Sequence, residues 1–164
     1  MENKKYTFFW KDKDVFSQWH RVGFTIDGVH YKTAEHWMMW KKAMMFGDAL
    51  KAEEILQTKE PRDVKQKGRE VFGFKRQDWE QNCQRFVYEG NHAKFTQNPA
   101  LLKVLMDTGD TELCEASPYD LIWGCGLLES DPDIHDKSKW KGKNWLGEIL
   151  TKLRDDLKQQ SKTK

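Results

Sequence analysis

The chain has 164 residues, a length suited to one domain whose core needs no disulfide or metal staple. Its 28 basic and 26 acidic residues leave a net charge of +2, which excludes a global basic field for long nucleic acid and leaves only a local patch open. Charged residues make up 33% and aromatic ones 13%, with eight Trp, so the surface is well solvated and a disordered chain is excluded. In chain order, TFFW and VGFTIDGVHY are expected to be extended, the second folded around an Asp27-Gly28 hairpin turn. Thr33 is placed to cap a helix whose apolar stripe runs through Trp37, Trp40 and Met44, with Met38 and Met45 at its margin. Gly47 ends it and Asp48 caps a second helix, DALKAEEILQT. Pro61 opens a third, PRDVKQKGREVF, which Gly73 breaks. RQDWEQNCQRFVYEGNHAKF reads as a long helix started by Asp78, with Trp79, Cys83, Phe86 and Val87 on one face. Asn98-Pro99 begins a further helix, PALLKVLMDT, closed by Gly109. TELCEA is short and extended, and SPYDLIWGCG is turn-rich around one helical turn. The last helix, NWLGEILTKLRDDLKQQ, is capped by Asn144, and SKTK frays beyond it.

The sum is a mainly α, single compact domain spanning residues 1–164, an α+β fold only through a small β element in the N-terminal third. Three cysteines (Cys83, Cys114, Cys125) without Cys-x-x-Cys spacing, and five histidines without ligand spacing, lead us to expect no metal and a reducing, cytoplasmic setting. MENKKYTFFW has no long apolar core of a signal peptide, and no segment has the length and apolarity of a membrane span. The densest basic runs, KSKWKGK and the terminal KTK, read as solvated lysines.

Three stretches carry chemistry. In AEHWMMWKKA, Glu35 and Lys42 lie seven residues apart, nearly two helical turns, and so project from one side about 10 Å apart with Met39 between them. Periodicity alone favours a solvated pair beside a core stripe; Lys41 faces elsewhere and serves as the control. In SPYDLIWGCG, Asp120 and Trp123 become neighbours in a helical turn, and Gly124 and Gly126 relax the backbone, an arrangement usable around a nucleoside or in a tight structural corner. In KGKNWLGEIL, a helix start with outward N–H groups and Lys141 or Lys143 beside it forms a natural phosphate seat, although most helix starts bind nothing. Neither a P-loop nor a dinucleotide fingerprint is present.

Taken in order, these pieces resemble the NADAR family. The resemblance rests on Phe16-Ser17, on Tyr31-Lys32-Thr33-Ala34-Glu35-His36 followed by Lys42-Ala43, on Asp78-Trp79, and on Lys94-Phe95 with Gln97-Asn98. It continues through Leu113 to Ser117 with Glu115, Asp120-x-x-Trp123-Gly124-x-Gly126, Gly142-x-Asn144-x-Leu146-Gly147 and Arg154. Met38, Met39 and Trp145 depart from the family pattern, which bears on substrate preference more than on reaction type.

The resemblance implies an N-glycosidase that cleaves the bond between ribose C1 and an exocyclic amine. The substrate would be ADP-ribosylated guanine in a nucleotide or nucleic acid, or a small phosphorylated ribosylamine, the ribosylaminopyrimidine phosphate of riboflavin synthesis. A module that binds ADP-ribose or a nucleotide without turnover is the alternative of another class. The resemblance implies that Glu35 and Lys42 sit in one pocket with Trp79, Trp123 and Asp120 nearby. Glu35 would shuttle protons; Lys42 would attack as a free amine or supply charge; Asp120 would hold ribose hydroxyls or carry a second proton. Trp79 and Trp123 would stack rings beside Gly124, Lys94 would meet phosphate, and Asn144 with the Gly147 backbone would shape that end. Glu115 is left structural or functional. No cofactor is required.

Overall fold

A computed structural model describes residues 4–162. The elements run β1 (Tyr6–Phe9), β2 (Phe24–Ile26), β3 (Val29–Tyr31), α1 (Ala34–Met45), α2 (Ala49–Gln57), α3 (Pro61–Arg69), α4 (Arg76–Thr96), α5 (Pro99–Met106), β4 (Glu112–Glu115) and α6 (Trp145–Lys162). Two short 3-10 turns, Pro132–His135 and Lys137–Lys139, precede α6. The fold is helical with minor sheets, as the helical patterns along the chain led us to expect. The residues fall into two compact units, one continuous from Gln18 to Asn98 and one joining the segment up to Ser17 with the segment from Pro99.

In the Gln18–Asn98 unit, β2 and β3 form an antiparallel hairpin in which Phe24 faces Tyr31 and Ile26 faces Val29. Asp27 and Gly28 both have positive φ, 50° and 81°, which is what a two-residue turn between right-twisted strands demands. Gln97 joins the hairpin's edge with its side-chain amide: Oε1 accepts from Thr25 N–H at 2.9 Å, and Nε2 donates to Thr25 C=O at 2.7 Å. Thr33 caps α1 by accepting His36 N–H at its Oγ1. His36 is fully buried; its Nε2 lies 2.7 Å from Thr58 C=O and its Nδ1 2.7 Å from Thr33 Oγ1. A carbonyl can only accept, so Nε2 carries the proton and Nδ1 accepts from the Thr33 hydroxyl. Burial holds this imidazole below its ordinary pKa of 6.5.

Helix α1 is enclosed over its whole first half: Ala34 through Met39 are all buried. This corrects two expectations. The stripe does not reach Met44, which is 46% exposed, and Glu35 is not solvated, being 3% exposed. Trp37 anchors the helix by donating its indole N–H to Phe86 C=O at 2.7 Å, across Gly90 of α4. Phe24, Tyr31, Ala34, Trp37 and Ala93 form the shared core, with Tyr31 edge-on to Trp37 at 5.1 Å. Helix α3 stops at Arg69 rather than continuing to Phe72; the N–H of its cap residue Glu70 turns back to Lys67 C=O, and beyond it Val71 is buried and Phe72 exposed. Helix α4 starts at Arg76 without a side-chain cap, and Asp78 sits in its first turn instead of opening it.

In the other unit, β1 and β4 pair in parallel, Tyr6 opposite Glu112 and Phe9 opposite Glu115. The β element is therefore not confined to the N-terminal third. The first strand pairs not with the hairpin but with a strand more than a hundred residues away in the chain. Cys114, Ala116, Cys125, Leu127 and Ile134 pack together beneath it. Arg154 of α6 is buried; its Nη1 donates to Thr108 Oγ1 at 2.9 Å and to Thr111 C=O at 2.6 Å, tying the turn before β4 to the helix. SPYDLIWGCG carries a hydrogen-bonded turn at residues 121–123 and no longer helix. Ser161 and Lys162 continue α6; Thr163 and Lys164, and with them most of the KTK run, lie outside the described residues.

Candidate active site

Within the Gln18–Asn98 unit, the seven-residue spacing on α1 does what a helix requires. The N–H of Glu35 is held at 3.0 Å by Gln18 C=O, which fixes the buried start of the helix. Two turns on, half-buried Lys42 carries its Nζ 4.3 Å from the centre of the Phe74 ring and 5.9 Å from that of Trp79. Burial lowers the Lys42 pKa from the ordinary lysine value of 10.5; the Glu35 carboxylate pulls it back up, and the Arg69 guanidinium pushes it down. The amine thus has a larger neutral fraction than a surface lysine, beside an acid that can relay its proton. Lys41, the neighbour control, points to different rings, Trp37 at 5.5 Å and Phe86 at 5.1 Å.

Phe74 is the residue that sequence reasoning missed. It lies in the turn between α3 and α4, where no helical period could mark it, yet it is the ring nearest the Lys42 amine. Gln18 and Asn91 were missed as well: Asn91 is fully buried and donates from Nδ2 to Gln18 Oε1 at 2.9 Å, one step from the Glu35 anchor. Lys94, one turn further along α4, is fully buried, and burial lowers its amine to about 7. The amine to which the resemblance gave a phosphate contact thus lies inside the fold.

Asp120, Trp123, Gly124, Asn144 and Gly147 belong to the other unit. Asp120 Oδ1 accepts the N–H groups of Ile122 at 3.0 Å and Trp123 at 2.8 Å, so the carboxylate builds a turn rather than lying free. Trp123 stands edge-on to Trp145 at 5.7 Å. A Cβ on Gly124 would press on the carbonyls of Asp120 and Glu115. The expected phosphate seat is corrected outright: the N–H groups of residues 143–146 donate to the carbonyls of 121–124, so they do not face outward. Asn144 sits at the cap position with its C=O accepting Glu148 N–H, but its side chain spans β4. Its Oδ1 accepts from Glu115 N–H, and its Nδ2 donates to Leu113 C=O, both at 3.0 Å. Its φ of 54° is the strain of that arrangement. Gly147 is glycine because a side chain would collide with Leu113 C=O and the Asn144 amide.

Comparison with known proteins gives this constellation a setting. An N-glycosidase of Acanthamoeba polyphaga mimivirus is 39% identical over 170 residues, covering 97% of this chain and all of that one. The N-glycosidase YbiA of Escherichia coli is 30% identical, with 89% of this chain and 82% of that protein covered. The NMR structure of YbiA matches with a TM-score of 0.80 over 98% of this chain and 89% of that chain, at 27% identity. A riboflavin biosynthesis protein of Vibrio vulnificus is 31% identical over 84% of this chain, which corresponds to 34% of that longer protein. Among the described residues no helix is long and apolar enough to cross a membrane. The model of the NADAR domain matches residues 8–158, and this chain belongs to the NADAR domain family.

Proposed function

We propose that this protein is an N-glycosidase that cleaves the bond between ribose C1 and an exocyclic amine, and that its substrate is ADP-ribosylated guanine in a nucleotide or nucleic acid. The observation that carries the reading is the Lys42 amine, lowered in pKa by burial between Phe74 and Trp79, on the same helix as buried Glu35. The names of the mimivirus and YbiA relatives support the reaction class. Such a substrate is an aminal. Loss of the exocyclic N–H proton and protonation of the ring oxygen open the sugar to an imine, with Glu35 moving the proton. Lys42 adds to C1 as a free amine, a proton passes from its nitrogen to the guanine nitrogen, and the amine leaves. Water then adds to the Lys42 imine, the carbinolamine collapses, and free ADP-ribose and the lysine amine are restored. Trp79 offers a stacking face beside the amine.

A second reading, cleavage of a ribosylaminopyrimidine phosphate, draws on the Vibrio relative, whose name refers to riboflavin biosynthesis. It uses the same bond and the same two residues. The deciding experiment incubates the protein separately with ADP-ribosyl-guanosine and with a ribosylaminopyrimidine phosphate and follows free base by mass spectrometry. Release of guanosine supports the first, release of the pyrimidine the second. Binding of either without loss of substrate would sink both in favour of a non-catalytic module.

A further inference from the structure

The segment beside the Lys42 amine carries a surface that the reaction itself does not use. On α3 the residues Arg62, Lys65 and Arg69 fall at i, i+3 and i+7 and are all exposed, while Pro61, Val64 and Gly68 form the buried face. Gly68 rests on Met39, the residue between Glu35 and Lys42, so α3 ends at the Lys42 end of α1, and the Arg69 charge is felt there. The chain then turns through Val71 to Lys75. Phe72 is 84% exposed and Phe74 41% exposed, on either side of Gly73, whose φ is +80°. The turn is fixed. Asp48 Oδ2 accepts Phe72 N–H at 2.9 Å, while its Oδ1 caps α2 through Lys51 N–H, and Phe74 stands edge-on to Phe46 at 5.4 Å.

Between Arg62 and Arg76 there are six basic and two acidic residues, a local net charge of +4 in a chain whose total is +2. The rest of the chain is therefore net acidic, although residues 137–143 hold four lysines of their own; what sets this segment apart is a basic row that ends at an outward aromatic ring. A row of cations about 10 Å long, leading to an outward phenyl ring on a pinned turn, is the combination that tracks a phosphate backbone and stacks an unpaired base. A membrane-binding helix would need a broad apolar outer face, and the outer face of α3 is charged.

We propose that Arg62, Lys65, Arg69 and Phe72 bind a single-stranded nucleic acid flanking the base presented to Lys42, so that the substrate is guanine within a strand rather than a free metabolite. This rests on the N-glycosidase reading for the role of Lys42 alone; strand binding is measurable without turnover. The test is fluorescence anisotropy with an unmodified, labelled, guanine-containing DNA single strand of about a dozen nucleotides, at about 50 and 200 mM salt. The expected result is binding that weakens with salt, falls about 10-fold in Phe72→Ala, and loses part of its salt dependence in Arg62→Glu/Lys65→Glu. Both variants should keep the thermal midpoint of the parent, and both should keep its turnover of ADP-ribosyl-guanosine while showing a raised KM for the same adduct within the oligonucleotide. Absence of strand binding, or binding indifferent to both variants, overturns the proposal. So does Phe72-dependent binding to phosphatidylserine vesicles with no binding to the strand. Strand binding without base release from any substrate leaves this face standing and removes the glycosidase reading instead.

Discussion

Two opposing influences act on the Lys42 amine: burial disfavours its ammonium form and the Glu35 carboxylate favours it. Glu35→Gln keeps the shape but removes the charge. It should cut turnover by about 10²-fold, the usual size of a lost proton-transfer contribution, and should lower the Lys42 pKa further. A carbon-13 titration of the Lys42 side chain checks the second effect; an unchanged or raised pKa would separate the two residues. Lys42→Arg retains a cation but has no amine able to form an imine. Under the covalent route it should be nearly inactive, and borohydride added during turnover should link the sugar to Lys42 in the parent only. Substantial activity in the Arg variant would leave Lys42 a purely electrostatic role, with Glu35 activating water. Lys41→Ala, whose amine faces Trp37 and Phe86, should behave like the parent in both assays. At this scale helical spacing put Glu35 and Lys42 on one helix, as α1 holds them, and the family pattern singled out Trp79, whose ring centre lies 5.9 Å from the Lys42 amine. Asp120 and Asn144 were legible as positions but not as environments, because what decides them is which backbone N–H and C=O groups arrive from distant residues. Phe74 was not legible, since a ring in a turn has no period to betray it.

Helix α1 is held to its neighbours through two glycines, and they make different demands. A Cβ at Gly68 would meet the flexible Met39 thioether, whereas one at Gly90 would meet the Trp37 indole, which is fixed by its bond to Phe86 C=O. Overpacking costs about 1–3 kcal/mol, so Gly90→Ala should lie at the upper end and Gly68→Ala at or below the lower. Urea unfolding of both variants gives the comparison, and equal losses would show that the indole can move aside. The cap of the same helix makes stability pH-dependent. The His36 pKa is lower in the folded state than its ordinary 6.5, so the unfolded chain binds the proton more readily. The His36 contribution is complete above about 6.5 and is lost as pH falls through the lower, folded value. His36→Gln should flatten that part of the stability curve; an unaltered slope between neutral and mildly acid pH would rule His36 out as its source. Helix existence was readable throughout, from Thr33, Asp48 and Pro61 as start signals. The readings failed at ends and turns, as in α3, where the backbone tightens at Glu70, whose N–H donates to Lys67 C=O, before Gly73 is reached.

The Gln18–Asn98 unit is continuous in the chain, and its hairpin and four helices are joined by short turns. The other unit needs β1 to find β4, with everything from Gln18 to Asn98 lying between them. Local pattern recognises each as a strand but carries no information about which strand it will meet, and for that reason the pairing was not legible in the sequence. The same separation has a kinetic consequence. Closing a loop over that intervening segment costs about 4 kcal/mol of chain entropy, by a cost that rises with the logarithm of loop length. Contacts of α1 with α2 and α3 are more local, and the Trp37–Phe86 bond that joins α1 to α4 spans 49 residues, about half the β1–β4 separation, so these should form first. Folding beforehand of the intervening segment would shorten the effective loop, so β1–β4 pairing should follow it rather than compete with it. In a pulsed hydrogen-exchange experiment during refolding, amides of α1 and α4 should gain protection before those of Thr7 to Phe9 and Leu113 to Glu115. Leu113→Ala, which leaves a cavity at a fully buried β4 position, should then mainly accelerate unfolding, and Ala93→Gly, in the shared core of the first unit, should mainly slow folding. Simultaneous protection of both sets, or a larger effect of Leu113→Ala on the folding rate than on the unfolding rate, would place the long-range strand pair in the transition state and reverse the proposed order.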